Sequence, residues 1–151
     1  MMGPAAGPGH SRELVVVENL SRTQIVQYAG ASGDFNPAHT DEVYARDAAG
    51  YPGVFAHGML VMGMSARVLT DWFGDDRLVV YDARFVRQVW PGDTLTATGS
   101  MFRTAGDHAS GLADVSVVTR NQAGEVVLTA QAQLAVSMSC EAWRLRQGRA
   151  E

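Results

Sequence analysis

The sequence predicts an α+β chain: a five-stranded antiparallel sheet wrapped round one central apolar helix. Three observations carry this. Three of four strand-like segments in the second half alternate apolar and polar residues with the period of two that a half-buried strand requires. A single run, Gly58 to Phe73, is apolar at positions 59 to 62, 64, 66, 68, 69, 72 and 73, which wraps most of a helix circumference. One further β-branched run, Glu13 to Asn19 (ELVVVEN), stands ahead of them and reads as a first strand. So apolar a helix must be covered, and a twisted sheet can curl round it.

The bulk properties fit one domain. At 151 residues the chain is long enough for a proper core, and 46% hydrophobic with 19% charged residues is ordinary for a globular protein. We expect a tail over residues 1–12, rich in Gly and Pro and disordered, a domain over 13–138, and a second tail over 139–151. The net charge of −4 argues against nucleic acid as a partner. All twelve basic residues are Arg. Without Lys there is no Schiff-base chemistry and no Walker-type phosphate loop. Cys140 is the only cysteine, which rules out an internal disulfide and a Cys-rich zinc site. No apolar run reaches the 18 residues of a membrane span, and the N-terminus does not read as a signal peptide. A cytoplasmic protein is expected.

In chain order, Ser21 followed three residues later by Gln24 forms a capping-box pattern, so a helix follows and stops near Gly30 to Gly33. The segment Asp34 to His39 (DFNPAH) is expected to be an ordered loop, because Pro37 removes a donor and restrains Asn36. Thr40 is expected to cap a short helix with Val43, Tyr44 and Ala48 on a partial apolar face. Residues 50–53 (GYPG) read as a turn. The apolar helix from Gly58 should be buried on nearly every side. Gly63 in its middle costs roughly 1 kcal/mol against Ala, which suggests close packing on the backbone.

Strands follow over 78–89, 94–103, 112–119 and 126–136. In the first, Val79, Tyr81, Ala83 and Phe85 share one face, with Asp82 and Arg84 on the other. In the second, Leu95, Ala97, Gly99 and Met101 oppose Thr94, Thr96 and Thr98. In the last, Val126, Leu128, Ala130, Ala132, Leu134 and Val136 share a face, with Gln131 and Gln133 opposite. Turns are expected at residues 91–93, 105–107 and 121–124. Open sheet edges on so small a unit predict a homodimer.

The run YAGASGDFNPAHTD, followed by AHGM, resembles the hydratase motif of the MaoC-like, R-specific enoyl-CoA hydratase family. The longer run VQYAGASGDFNPAHTDEVYA…FAHGMLVMG is similar to the B-type subunits of mycobacterial (3R)-hydroxyacyl-ACP dehydratases. The resemblance covers about residues 14–137. It implies a hot-dog fold and an enzyme that reversibly hydrates trans-2-enoyl thioesters to (3R)-3-hydroxyacyl thioesters. The substrate would be an acyl-CoA or acyl-ACP, in a homodimer or one half of a heterodimer. It implies no metal and no redox cofactor.

Residue by residue, the resemblance makes Asp34 and His39 the catalytic pair and Gly58 the backbone N–H donor to the thioester carbonyl. Some R-hydratases carry a Ser six residues after the His of the H-G pair; here that position is Gly63. The chemistry needs a proton carrier at the water or β-hydroxyl, a proton at the α-carbon, and stabilisation of charge on the thioester oxygen. Our preferred division has His39 as base on the water and Asp34 helping to deliver the α-proton. Gly58 suits its role because the first amides of a helix lack internal partners, and Gly has no side chain to block an approaching oxygen.

Asn36 and Pro37 are expected to set the loop, and His57 to be a buried support at the helix start. Met59, Met62 and Gly63 are expected beside an acyl tunnel, though Met at helical spacing, Met64 included, more often describes core. Arg84 and Arg87 face either carrier phosphates or solvent. The alternatives are a hot-dog thioesterase, disfavoured because Met59 to Thr70 holds no acid, and a non-catalytic acyl-binding or stabilising subunit, disfavoured by the presence of both Asp34 and His39.

Overall fold

The computed structural model describes residues 9–103 and 111–135. A five-stranded antiparallel sheet runs in the order β1-β3-β4-β5-β2, with β1 Ser11–Val17, β2 Leu78–Phe85, β3 Leu95–Arg103, β4 Leu112–Arg120 and β5 Val126–Ala135. Helices α1 (Arg22–Ser32), α2 (Pro37–Thr40) and α3 (Gly58–Phe73) lie between β1 and β2.

The pairing register shows why the sheet accepts a helix. Gly99 pairs with Val117, Val117 with Ala130 and Ala130 with Ala83. This row of small side chains crosses four strands. A methyl group added to Gly99 would meet the ring of Trp72 in α3 at 3.6 Å, so the row faces the helix. A parallel row runs Ala97, Thr119, Leu128, Phe85, and another Met101, Val115, Ala132, Tyr81. Small residues in the middle and larger ones beside them form a trough. Into it α3 places Val61, Ser65, Val68 and Leu69, all buried. Fully burying a Leu or Val side chain contributes about 1.5–3 kcal/mol. The buried Thr119 hydroxyl donates to Ser65 Oγ at 2.8 Å, which pins the helix to β4.

Several elements differ from the sequence expectation. The first strand begins earlier: Ser11 and Arg12 pair with β3, Gly9 N–H donates to Met101 O, and Met101 N–H donates to His10 O. Residues 9–12 are therefore not a disordered tail. The segment expected to be all loop contains α2. Pro37 stands at the first helical position, where its missing N–H costs nothing. Thr40 lies inside α2, and Asp41 is the cap that follows: its Oδ1 accepts from the amides of Val43 and Tyr44. A π-helical turn, Tyr44–Ala48, buries Ala45, while Val43, Tyr44 and Ala48 are exposed, so the expected apolar face points outward.

α3 has the expected bounds, but it is not buried all round. Met59, Gly63, Arg67 and Asp71 form an exposed stripe, because the trough covers one side only. Space is open at Gly63. β2 stops at Phe85 rather than residue 89. The amides of Val86 and Arg87 both turn to Val127 O, which ends the ladder. Val79 and Phe85 are exposed, and a bulge between Leu78 and Val80 takes Val79 out of the alternation. The expected turn at 105–107, Val136, Cys140 and the tail over 139–151 lie outside the described residues. No helix among the described residues is long and apolar enough to cross a membrane.

Candidate active site

The loop after α1 is built from short-range hydrogen bonds. Gly33 closes α1 in a left-handed conformation at φ 76°, which Gly adopts without strain. Ser32 Oγ donates to Tyr28 O and accepts from the Asp34 amide. Asp34 Oδ1 accepts from the Asn36 amide at 3.2 Å, and Asn36 Oδ1 accepts from the Ala38 amide at 3.0 Å. Asn36 is thus the N-cap of α2, with Pro37 fixing its first turn. This turn carries His39 inward, where it is only 9% exposed, while the Asp34 side chain stays open to solvent.

His39 Nδ1 lies 2.7 Å from Phe55 O. A carbonyl oxygen only accepts, so Nδ1 carries the proton and Nε2 keeps its lone pair. The ring of Phe55 stands edge-on to the same imidazole, with centroids 4.8 Å apart. His39 is therefore held in the tautomer a general base requires.

His57, 2% exposed, precedes α3 as its N-cap residue. Its Nε2 donates to Asp34 O at 2.9 Å, so the start of α3 is tied to the loop that carries Asp34 and His39. Its ring lies over that of His39, with centroids 3.9 Å apart. Nδ1 of His57 is buried without a hydrogen-bond partner, an arrangement that costs about 1–3 kcal/mol and is normally explained by a ligand, water or ion. A carboxylate oxygen of Asp34 and one nitrogen from each imidazole lie within 4.8 Å of one another. Asp34, His39 and His57 thus form one cluster.

The N-terminus of α3 has no side-chain cap, in contrast to α1, whose Ser21–Gln24 box is complete. The first helical bond there runs from the Val61 amide to His57 O, which leaves the amides of Gly58, Met59 and Leu60 ahead of it. The positive end of the helix dipole is therefore available to an acceptor. A cavity of about 240 Å³ adjoins Gly58, lined among others by Phe55, Val61, Phe85, Arg87 and Val127. Phe85 stands over the glycine: a Cβ there would come within 3.2 Å of its ring.

The Asp34, His39 and His57 side chains do not line this cavity, and neither do Met59, Met62 or Gly63. Met62 and Met64 pack against the core, and Met59 faces outward. Arg87 borders the cavity, with Glu125 4.0 Å away, whereas Arg84 is exposed on β2. The contributions of Phe55 and Phe85 were not foreseen. Phe55 acts through its main-chain oxygen, which no side-chain pattern reveals. Phe85 ends the inward-facing row of β2, and that position was a usable signal.

The family model described as MaoC like domain matches residues 5–125. The chain is 35% identical over 97 residues to the enoyl-CoA hydratase ChsH3 of Mycobacterium tuberculosis, covering 62% of this chain and 33% of that protein. It spans 4% to 33% of the length of three such curated relatives, that hydratase among them. Its fold is similar to the R-hydratase PhaJ1 from Pseudomonas aeruginosa, with a TM-score of 0.77 and 23% identity, covering 89% of this chain and 84% of that one. It is also similar to a chain of the ChsH1-ChsH2 complex from Mycobacterium tuberculosis, with a TM-score of 0.72 and 28% identity over 86% of this chain and 98% of that one. The five-stranded antiparallel sheet packed round one apolar helix agrees with the fold of these structures. The chain adopts the hot-dog fold and belongs to the MaoC-like dehydratase family.

Proposed function

We propose that this protein reversibly hydrates trans-2-enoyl thioesters to (3R)-3-hydroxyacyl thioesters carried on CoA or acyl carrier protein. The observation that carries the reading is the setting of His39: its Nδ1 proton is committed to Phe55 O, and a nitrogen of its ring lies within 4.8 Å of an Asp34 carboxylate oxygen. The printed activities of ChsH3 and PhaJ1 support the same reaction class.

In hydration, Asp34 and His39 hold one water. His39 Nε2 takes a proton as the water oxygen bonds to C3. The electron pair of the C2–C3 double bond moves toward the thioester oxygen, which accepts from the Gly58 amide. C2 then takes a proton delivered through Asp34, and proton exchange between Asp34 and His39 restores the pair. Atoms balance as one water added, and dehydration is the reverse. The chemistry calls for no redox or metal cofactor. Asn36 and Pro37 hold the turn, and His57 fixes the helix start relative to it.

The active unit is a dimer, either of two copies or with a related hot-dog chain. β1 and β2 are edge strands, and Val79, Val80, Phe85 and Val86 leave apolar surface exposed at and beyond the β2 edge. Light scattering of the pure protein tests this part. The enzymatic part is tested with crotonyl-CoA and longer enoyl-CoAs, following loss of the enoyl absorbance. Activity that survives Asp34→Asn or His39→Ala undiminished overturns the proposal, as does release of free thiol without hydration.

A further inference from the structure

The cluster of Asp34, His39 and His57 has more donor capacity than hydration uses. The two imidazoles are oriented in complementary ways. His39 commits Nδ1 to Phe55 O, and His57 commits Nε2 to Asp34 O. Each ring keeps one nitrogen lone pair, and that of His57 is buried without a partner on a residue that is 2% exposed. The reaction proposed above gives this nitrogen no task.

We propose that Asp34, His39 and His57 form a binding site for a borderline divalent cation of the zinc class, and that its occupation blocks the hydration chemistry. Two neutral imidazoles and one carboxylate, completed by water, are a donor set that zinc favours in tetrahedral sites. Magnesium and calcium prefer oxygen donors, so the site discriminates against them. The carbonyl behind each imidazole fixes its tautomer and ring orientation, as the outer partners of metal-bound histidines do.

The spacing is open by a small amount. Donors around a tetrahedral zinc ion stand roughly 3.3 Å apart, given bond lengths of about 2.0–2.1 Å. One nitrogen of each imidazole and an Asp34 carboxylate oxygen lie within 4.8 Å of one another, and a bound cation would draw them closer. A bound cation would occupy the lone pair of His39 and an oxygen of Asp34, so neither could carry a proton. The inhibitory half rests on the function proposed above; the binding half does not.

The test uses the full chain without an affinity tag, stripped with a chelator and dialysed to equilibrium against Zn²⁺. A parallel sample takes Co²⁺, read by its visible absorption. We expect one Zn²⁺ per chain, a tetrahedral Co²⁺ spectrum, and no displacement by excess Mg²⁺. Asp34→Asn and His57→Gln should each weaken binding about tenfold or more. Asp34 is exposed, so its variant keeps the test valid if the His57 variant does not fold. Crotonyl-CoA hydration should fall at the same Zn²⁺ concentration and return on adding chelator. Absence of stoichiometric binding, or binding that Asp34→Asn leaves unchanged, overturns the site. Binding at the site with undiminished hydration overturns the inhibitory half. Binding by a protein with no hydratase activity supports the site and overturns only the proposed function.

Discussion

The imidazole of His57 donates its Nε2 proton to the main-chain carbonyl of Asp34 at 2.9 Å. One bond therefore connects the residue that opens α3 with the residue that begins the Asp34-to-His39 turn. The proposed oxyanion donor and the proposed proton carriers are positioned relative to each other through this contact.

Replacing His57 by Phe should leave the apolar packing largely filled but break that link. We expect kcat on an enoyl thioester to fall about tenfold or more while KM changes little, since small misplacement of reacting groups is costly. His57→Gln, which retains a donor, should recover part of the loss. Steady-state kinetics on both variants, with circular dichroism to check folding, decide this; equal activity of His57→Phe and wild type would refute the linking role.

Asp34→Asn and His39→Ala should each lower kcat by about 10²–10⁴-fold, the range general acid–base catalysis supplies. The double variant should be little worse than the weaker single one, because the two act on one water. Multiplicative losses in single-turnover measurements would mean that the residues act independently.

Gly58→Ala places a methyl group within 3.2 Å of the Phe85 ring and beside the first amide of α3. Phe85 is exposed and can yield, so the fold should persist. Hydration should nevertheless fall about 10²-fold, comparable to losing one oxyanion donor. An unaltered rate would remove Gly58 from the mechanism.

Ser65→Ala strands the buried Thr119 hydroxyl, which now donates to Ser65. Urea unfolding should show a loss of about 1–3 kcal/mol. Adding Thr119→Val should recover much of it, and the cycle gives the coupling directly. Simple additivity of the two losses would contradict the contact.

Tyr81 supplies a pH dependence. Its hydroxyl is buried without a partner, and desolvation pushes its pKa from 10.0 up to about 12. The fold thus favours the neutral phenol. That contribution is complete below about pH 10 and is lost as pH rises toward about 12. Tyr81→Phe should flatten the stability profile across this window. It should also match or exceed wild-type stability at pH 7, because an unpartnered hydroxyl leaves the interior. Parallel denaturant curves at neutral and alkaline pH measure both effects.

Much of the arrangement was legible in the sequence because it rests on periodicity. The apolar run marks α3 at Gly58–Phe73. Alternation in β5 gives the buried row Leu128, Ala130, Ala132 and Leu134. The resemblance paired Asp34 with His39, and the fold brings an Asp34 carboxylate oxygen and a His39 nitrogen within 4.8 Å of each other. What was hidden involves main-chain partners and outward-facing apolar residues. Phe55 O and Asp34 O have no side-chain signature, and the His57 bond spans 23 residues. Pro37 argues against a helix interior, yet at the first position of a helix it is an initiator. Val43 and Tyr44 are apolar by type, yet Ala45 is the residue their turn buries.

Because His39 is anchored to a main-chain oxygen, the identity of residue 55 is only loosely constrained by that bond. Any side chain leaves the acceptor in place; what must be kept is the path of the chain between Thr40 and Ala56. A saturation library at Phe55 should therefore retain many active members, whereas inserting or deleting a single residue between 41 and 54 should abolish activity. In sequence space, this candidate site is guarded by spacing more than by spelling.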